Sequence, residues 1–169
     1  AFLHAINDGF NPLLMQNDIK QRTGLPTGYL YDMKSFEEVQ EAVKRQFEFF
    51  INWQVSLTNS YEYIAAEHMP LPLASATIDG CMETGRDVLH GGAKYNSTGF
   101  PGVGIGTVAD SLAVIKYVVF DKKLITAKEL YDALLSNWEG KENLRQLILN
   151  EAPHYGNADA YSDELASWV

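Results

Sequence analysis

A single helical period governs the sequence between Ser35 and the prolines at positions 70 and 72. Apolar residues recur there at steps of mostly three or four: Phe36, Val39, Val43, Phe47, Phe50, Leu57, Tyr61 and Ile64. This spacing is typical of one face of an α-helix. Ser35 to Glu38 form a capping box that would start the helix, and the prolines would end it because proline cannot continue one. We therefore expect one long helix.

Shorter helices are predicted along the rest of the chain, with very little strand. They cover residues 73–85, a face beginning at Ile105, a segment opened by a second capping box at Thr126 and closed near Gly140, a segment around Leu147 and the acidic C-terminal residues. Residues 9–34 look irregular. The one candidate strand, "VLHGGAKYN", lacks partner strands in this sequence. The chain is therefore either mostly helical, or its sheet partners lie outside it.

Composition limits the classes of function. The 169 residues suit one domain, and a net charge of −9 disfavours nucleic acid because phosphates would be repelled. Apolar runs are too short and interrupted to predict a membrane span. Cys81 is the one cysteine, so no internal disulfide or cysteine-based zinc site is predicted, which favours a cytoplasmic location. The opening "AFLHAINDG" begins in mid-helix without an initiator methionine, so we expect a truncated chain.

Glycine is concentrated between Leu89 and Thr107, where six of the 13 glycines lie. Glycines before a helix can present amide groups to a phosphate, so a nucleotide-binding module that uses Gly102–Thr107 is one hypothesis. The spacing, however, matches neither the G-x-G-x-x-G of a dinucleotide site nor a P-loop. Tight packing around the helix explains these glycines more simply.

Cys81, the histidines and the polar insertion that follows Lys94 are the candidates for chemistry. Cys81 could be reactive, but no cation adjoins it, and a lone cysteine is commonly a buried small apolar residue. The four histidines show no metal-ligand spacing, so no metal is predicted. On a strand, Tyr95 and Ser97 would share one face and could line a pocket. A turn is equally consistent with "NSTG".

Several groups of residues then depart from a generic pattern, and they occur in a consistent order along the chain. They are Gly85-x-Asp87, Gly91-Gly92-Ala93-x-Tyr95-Asn96, Val108-Ala109-Asp110-Ser111-Leu112 with Ile115-Lys116, the opening "AINDG" and the later "PHYGNAD". Together they resemble the glycyl radical enzymes of the pyruvate formate-lyase superfamily, in the branch that contains dehydratases, decarboxylases and other lyases. The resemblance spans essentially the whole chain.

The resemblance implies a fold and a chemistry. The fold is a ten-stranded α/β barrel, to which this mostly helical segment would contribute few strands. A cysteine thiyl radical would abstract hydrogen from a small organic substrate so that a C–C, C–O or C–N bond is cleaved or formed. The enzyme would be a lyase, a decarboxylase or an acyltransferase-like member of the family. A glycyl radical would store the unpaired electron. It would be installed by a separate iron–sulfur activating enzyme that uses S-adenosylmethionine, and a homo-oligomer is expected.

The resemblance also implies roles for individual residues. "GGAKYNSTG" would be a barrel strand beside the active cavity, with the backbone at Gly91 and Gly92 close to the radical loops. Tyr95, Asn96 and Ser97 would face substrate, and His4 would help hold a polar group of it. Although "GCME" at 80–83 looks like the catalytic cysteine motif, that motif precedes "AINDG" in the family. Cys81 is therefore interpreted as structural.

By the same comparison, both radical loops are expected to lie outside residues 1–169, which form an internal segment of the barrel domain that is inactive alone. Two hypotheses of other classes remain beside this enzyme. One is a helical interaction or scaffold protein whose glycines serve packing. The other is the nucleotide-binding module at Gly102–Thr107.

Overall fold

The computed structural model describes residues 1–12 and 20–169, and these residues are mostly helical. Within them, the α-helices are α1 (Phe2–Ala5), α2 (Phe36–His68), α3 (Pro72–Thr77), α4 (Cys81–Thr84), α5 (Ile105–Val114), α6 (Ala127–Leu135), α7 (Glu142–Glu151) and α8 (Ala160–Trp168). A π-helix, Ile115–Asp121, continues α5, and single 3₁₀ turns lie at Leu30–Asp32 and Val88–His90. None of the described helices is long and apolar enough to cross a membrane.

The predicted helix boundaries are largely confirmed. α2 begins at Phe36, where the Glu38 amide donates to Ser35 Oγ at 3.4 Å, and it ends just before Pro70. At α6, the Glu129 amide donates to Thr126 Oγ1 at 3.1 Å, and the Glu129 carboxylate accepts from the Thr126 amide at 2.8 Å. These reciprocal bonds satisfy amides that the first turn of a helix leaves unpaired.

Two predictions about the middle of the chain are wrong. Residues 73–85 form two short helices instead of one, because Gly80 has φ +97° and breaks the helical path. Residues 91–99 are not a strand; a 3₁₀ turn at Val88–His90 leads into irregular backbone. Within the described residues, bridge pairing is limited to Asn7 with Tyr29 and Phe10 with Arg22, so a strand here has no ladder to join.

The chain divides into two compact units, and unit 1 holds the core. Unit 1 consists of Ala1–Phe49 and Gly102–Val169. Its buried core cluster comprises Ala5, Ile6, Leu30, Phe36, Val39, Ala42, Val43, Leu112, Ala113, Ile115, Val118, Leu130, Tyr131, Ile148 and Leu165. α5 packs along α8 in this unit, and α6 packs on the Leu30–Asp32 turn. Burial of this apolar surface is the main favourable term in folding the unit.

Unit 2, Phe50–Pro101, buries far less. Its buried residues are Ala65, Ser75, Cys81 and Gly92, which are all small. The unit contains the second half of α2 together with α3, α4 and the glycine-rich segment. Polar contacts and close backbone approaches organise its loops.

The irregular segment before α2 is held by one buried side chain. Gln46, fully buried on α2, accepts from the Leu25 amide at 3.1 Å and donates to the Leu25 carbonyl at 2.7 Å and to Thr27 Oγ1 at 3.0 Å. Thr27 in turn donates to the Ala5 carbonyl at 3.1 Å. The predicted irregularity of residues 9–34 is seen over 20–34 apart from the 3₁₀ turn at Leu30–Asp32, while 13–19 lie outside the described residues.

Candidate functional site

Asp87, in the Gly85-x-Asp87 motif, anchors the start of the glycine-rich segment of unit 2. Its carboxylate accepts hydrogen bonds from the Leu89 amide at 2.9 Å, from Ser75 Oγ at 2.8 Å and from the Leu71 amide at 2.8 Å. These bonds, the Leu89 amide first, stabilise the charged form and lower the Asp87 pKa below its ordinary value. The carboxylate therefore ties α3 to the loop that carries Gly91 and Gly92.

Two glycines permit the backbone to fold back on itself beside this anchor. A β-carbon at Gly92 would lie 2.1 Å from the Arg86 carbonyl oxygen, and one at Gly80 would lie 2.7 Å from the Lys94 amide nitrogen. Gly91 has φ +70° and open space around it, so glycine is favoured there by the backbone conformation and not by a close contact. The close approach at Gly92 is therefore local, to Arg86; proximity to the radical loops stays a prediction.

The polar side chains after Lys94 lie at the surface of unit 2. Tyr95 is 86% exposed, and Ser97 is also exposed. Asn96 turns back on its own loop, where its Nδ2 donates to the Ala93 carbonyl at 2.8 Å. Thr98 Oγ1 contacts the Glu62 carboxylate of α2 at 2.5 Å. Of the strand and the turn that the sequence allowed here, the structure shows the turn, and the Tyr95 side chain faces solvent.

His4 lies in unit 1, whereas Tyr95, Asn96 and Ser97 lie in unit 2. The structure therefore does not bring these four predicted site residues together within one unit. His4 Nε2 is 2.8 Å from Thr23 Oγ1, and partial burial lowers the pKa of its imidazole. The neutral ring is consequently favoured at pH 7, and it helps connect α1 to the segment before α2.

Cys81 is 3% exposed at the start of α4. Its carbonyl accepts from the Arg86 amide at 3.2 Å, which closes the turn after the helix. A buried thiol in such a place behaves as a small apolar residue. This environment supports the interpretation of Cys81 as structural, which stays a prediction.

A contact between two of the family-like motifs was not predicted. Asp110 of "VADSL" accepts from the Tyr155 amide of "PHYGNAD" at 2.6 Å, and His154 Nδ1 lies 3.8 Å from the same carboxylate. A β-carbon at Gly106 would lie 3.3 Å from the Tyr155 ring, so the glycine lets that ring approach α5. Both motifs were visible in the sequence, but nothing in their spacing, which is 45 residues, showed that they meet.

A second unpredicted group lies at the end of the π-helix. Asp121 accepts from Tyr161 Oη at 2.8 Å and from Lys116 Nζ at 3.1 Å, and Lys116 lies 4.0 Å from the centre of the Tyr161 ring. Burial and the bond to Asp121 both raise the Tyr161 pKa above its usual value. Burial opposes ionisation of Asp121, but the bonds from Tyr161 and Lys116 outweigh it and lower its pKa.

Two further features considered in the sequence are the glycines of Gly102–Thr107 and metal binding. Gly104 has φ +86° and precedes α5, while Gly102 and Gly106 adjoin Ile105 and Tyr155. Packing thus accounts for Gly102 and Gly106, whereas the backbone conformation before α5 accounts for Gly104. Across residues 1–12 and 20–169, no group of three or more His, Cys, Asp or Glu side chains could hold a metal ion.

Comparisons of this chain with known proteins give matches that agree with one another. The sequence model of the family described as pyruvate formate lyase-like matches residues 1–169. Trans-4-hydroxy-L-proline dehydratase from Clostridioides difficile is 42% identical over 160 residues, which are 95% of this chain and 20% of the relative. (2S)-3-Sulfopropanediol dehydratase from Klebsiella oxytoca is 40% identical over 150 residues, which are 88% of this chain and 18% of the relative.

A solved structure agrees with the sequence matches. The crystal structure of hydroxyproline dehydratase from Clostridioides difficile with trans-4-hydroxy-L-proline bound superposes with a TM-score of 0.87 at 41% identity. The match covers 98% of this chain and 20% of that one. The chain thus spans about one fifth of the length of the relatives it matches.

Proposed function

The chain belongs to the pyruvate formate lyase-like family, and we propose that it forms one segment of a glycyl radical enzyme that dehydrates a small hydroxylated substrate. The observation that carries the proposal is the 42% identity to trans-4-hydroxy-L-proline dehydratase over 95% of this chain. The second relative, at 40% identity, is also named a dehydratase. Dehydration is therefore preferred over the decarboxylase, other lyase and acyltransferase reactions that the sequence left open.

Family membership favours the enzyme over the two other hypotheses. A scaffold protein or a nucleotide-binding module at Gly102–Thr107 would not account for matches along essentially the whole chain. The positive φ of Gly104 and the close approach of Gly106 to the Tyr155 ring give these glycines local roles and further weaken the nucleotide hypothesis.

Cys81 does not fit the role of the radical cysteine. A thiyl radical must reach the substrate, whereas Cys81 is 3% exposed within α4. We therefore assign no radical step to Cys81. The proposal places the reactive cysteine and the glycyl radical on other parts of a longer polypeptide, with the radical installed by an S-adenosylmethionine-dependent iron–sulfur activating enzyme.

Within this enzyme, the segment is proposed to bind and orient substrate at the loop after Gly92. Asn96 bonds to the Ala93 carbonyl and so holds the loop. Tyr95 and Ser97 then present hydroxyl groups at an exposed surface, where hydroxyls of a small substrate could exchange hydrogen bonds with them. His4 is proposed as a further polar contact. The barrel setting, a homo-oligomer and a cytoplasmic location belong to the same proposal.

The experiment uses the complete polypeptide that contains this sequence, produced and activated anaerobically with its activating enzyme. Electron paramagnetic resonance would detect the glycyl radical, and product analysis would follow loss of water from trans-4-hydroxy-L-proline and from (2S)-3-sulfopropanediol. A radical signal with release of water from a hydroxylated substrate supports the proposal. A native polypeptide of 18.9 kDa that forms no radical would contradict it.

Two variants test the role of the loop within that enzyme. Ser97→Ala removes one hydroxyl from the proposed site, and Ser136→Ala removes one from the exposed end of α6 as the matched control. Loss of a substrate hydrogen bond should raise KM or lower kcat/KM by roughly tenfold for Ser97→Ala, with the radical signal retained. Equal kinetics for the two variants would remove Ser97 from the site.

A further inference from the structure

The surface of α2 changes character halfway along the helix. Residues 37–48 contain six charged side chains: Glu37, Glu38, Glu41, Lys44, Arg45 and Glu48. Residues 50–66, which we call the neutral segment, contain one, Glu62. Its other polar side chains are uncharged Asn, Gln, Ser and Thr. A helix that faces water normally carries charges on its exposed side, so the neutral segment lacks the composition of a solvent-facing helix.

Most of the neutral segment is nevertheless exposed, and Ala65 is its one buried residue. Its large apolar side chains are exposed by between 39% and 71%: Ile51, Trp53, Val55, Leu57, Tyr61, Tyr63 and Ile64. At about 100° of rotation per residue, Trp53, Leu57, Tyr61 and Ile64 form a stripe on one side of the helix. Ile51, Val55 and Tyr63 lie on the opposite side. The apolar surface therefore surrounds the segment.

Protein surrounds such a segment better than other partners do. The central parts of protein interfaces are depleted in charge and enriched in aromatic residues, as the neutral segment is. A helix that lies on a membrane surface has a basic polar face, and residues 50–66 contain no Lys or Arg. A two-stranded helical dimer would cover a single stripe and leave the opposite side in water.

We propose that the remainder of the enzyme polypeptide encloses the neutral segment on both of its apolar sides. This inference rests on the proposed function, which makes the chain one segment of a longer enzyme. The matched structure aligns with 98% of this chain but extends to about five times the aligned length, since the match covers 20% of it. Such an enzyme supplies enough additional polypeptide to cover a helix of this length.

Hydroxyl radical footprinting of the complete native polypeptide tests the enclosure directly. Trp53, Tyr61 and Tyr63 are reactive side chains, so their oxidation reports how much solvent reaches them. Relative to the same polypeptide in denaturant, we expect their labelling to fall by at least ~10-fold. Labelling of Trp53 and Tyr61 close to the denatured rate, in an enzyme that forms its radical, would overturn the enclosure and leave the proposed function standing.

Further measurements separate the other possible occupants. The footprint is repeated across a dilution series without lipid, with native mass recorded at each concentration. Protection that persists in the monomer supports intramolecular enclosure, whereas protection lost on dissociation assigns the surface to a second copy and overturns it. Protection that appears after vesicles are added overturns it in favour of lipid. An intact mass of 18.9 kDa would instead show that the proposed function itself fails.

A pair of variants with equal change in net charge gives a second test. Trp53→Glu places a carboxylate within the proposed enclosure, while Lys44→Gln changes an exposed residue in the charged half of α2. We expect soluble yield of the complete enzyme to fall at least ~10-fold for Trp53→Glu alone, because an unpaired buried charge is strongly unfavourable. Equal yields for the two variants would contradict the inference.

Discussion

Gly91 and Gly92 are adjacent, but a larger residue is disfavoured at the two positions for different reasons. A β-carbon at Gly92 would lie 2.1 Å from the Arg86 carbonyl oxygen, whereas at Gly91 the space is open and only φ, at +70°, disfavours other residues. Overlap with backbone cannot be relieved by moving a flexible side chain. A positive φ costs an alanine only about 1–2 kcal/mol.

We therefore expect Gly92→Ala to lower the free energy of unfolding by ~3 kcal/mol or more, and Gly91→Ala by ~1 kcal/mol. Thermal unfolding of the complete polypeptide measures both, with Gly91→Ala as the matched control. Similar unfolding temperatures for the two variants would show that the backbone approach at Gly92 is not maintained in solution.

Tyr131 provides a prediction about pH. Its hydroxyl donates to Asn7 Oδ1 at 2.6 Å, and burial, the largest cause, raises its pKa to about 12. An unfolded tyrosine titrates near 10, so the stabilisation is fully present below about pH 10 and is lost as pH rises through about 12. Tyr131→Phe should cost ~1 kcal/mol at pH 8 and flatten this decline. Parallel unfolding curves against pH for variant and wild type would contradict the assignment.

Ser162 supplies the opposite case, a buried group whose removal should stabilise. The residue is fully buried in α8, and its Oγ has no hydrogen-bond partner among residues 1–12 and 20–169. Ser162→Ala should raise the free energy of unfolding by ~1 kcal/mol, because an unpaired buried hydroxyl is unfavourable. Ser111→Ala is the control: its hydroxyl bonds the Thr107 carbonyl at 2.7 Å, so it reports mainly helix propensity. Equal effects would show that Ser162 finds a partner.

The sequence predicted helix starts correctly, but it did not predict contacts between residues that are far apart in the chain. The caps at Ser35 and Thr126 were readable because a helix start depends on residues three positions apart. The bond from Tyr155 to Asp110 was not readable, since it joins residues 45 positions apart. The prediction of a strand at 91–99 was wrong for the same reason, because a strand depends on partner strands that its own sequence does not specify.

The π-helix shows a limit even for local signals. Lys116 and Asp121, which are bonded at 3.1 Å, are five residues apart, whereas neighbours on an α-helix are three or four apart. The apolar positions from Ile105 to Val119 predicted a regular helix. The wider turns of the π-helix from Ile115 to Asp121 leave no apolar period of their own in the sequence and are seen only in the folded structure.

α2 and the segment before it should depend on one glutamine. Gln46→Leu keeps the side chain's size but leaves the Leu25 amide and carbonyl without the partners that Gln46 now provides. We expect a loss of ~2–3 kcal/mol in the free energy of unfolding. Gln146→Leu, at an exposed site on α7, should have a small effect. A difference below ~0.5 kcal/mol between them, measured by urea unfolding, would show that the bonds to Leu25 add little.

Buried residues are distributed unevenly between the two units. The buried core cluster lies entirely in unit 1, whereas unit 2 buries four small residues. If the 169-residue chain is prepared alone, chymotrypsin should first cut within residues 50–101, because local opening is easiest where few apolar contacts resist it. Mass spectrometry of early fragments gives the cut sites. First cuts within 102–169 would contradict this distribution of stability.

Unit 1 is also discontinuous in sequence, since residues 50–101 separate its two parts. The Tyr131 hydroxyl reaches Asn7 across 124 positions. At translation rates of about 5–20 residues per second, roughly 6–25 s pass between the synthesis of these two residues. During that interval Leu30, Val39 and Val43 lack the partners that later cover them. The emerging polypeptide thus exposes apolar surface to solvent before unit 1 can fold, and chaperones have a defined period in which to shield it.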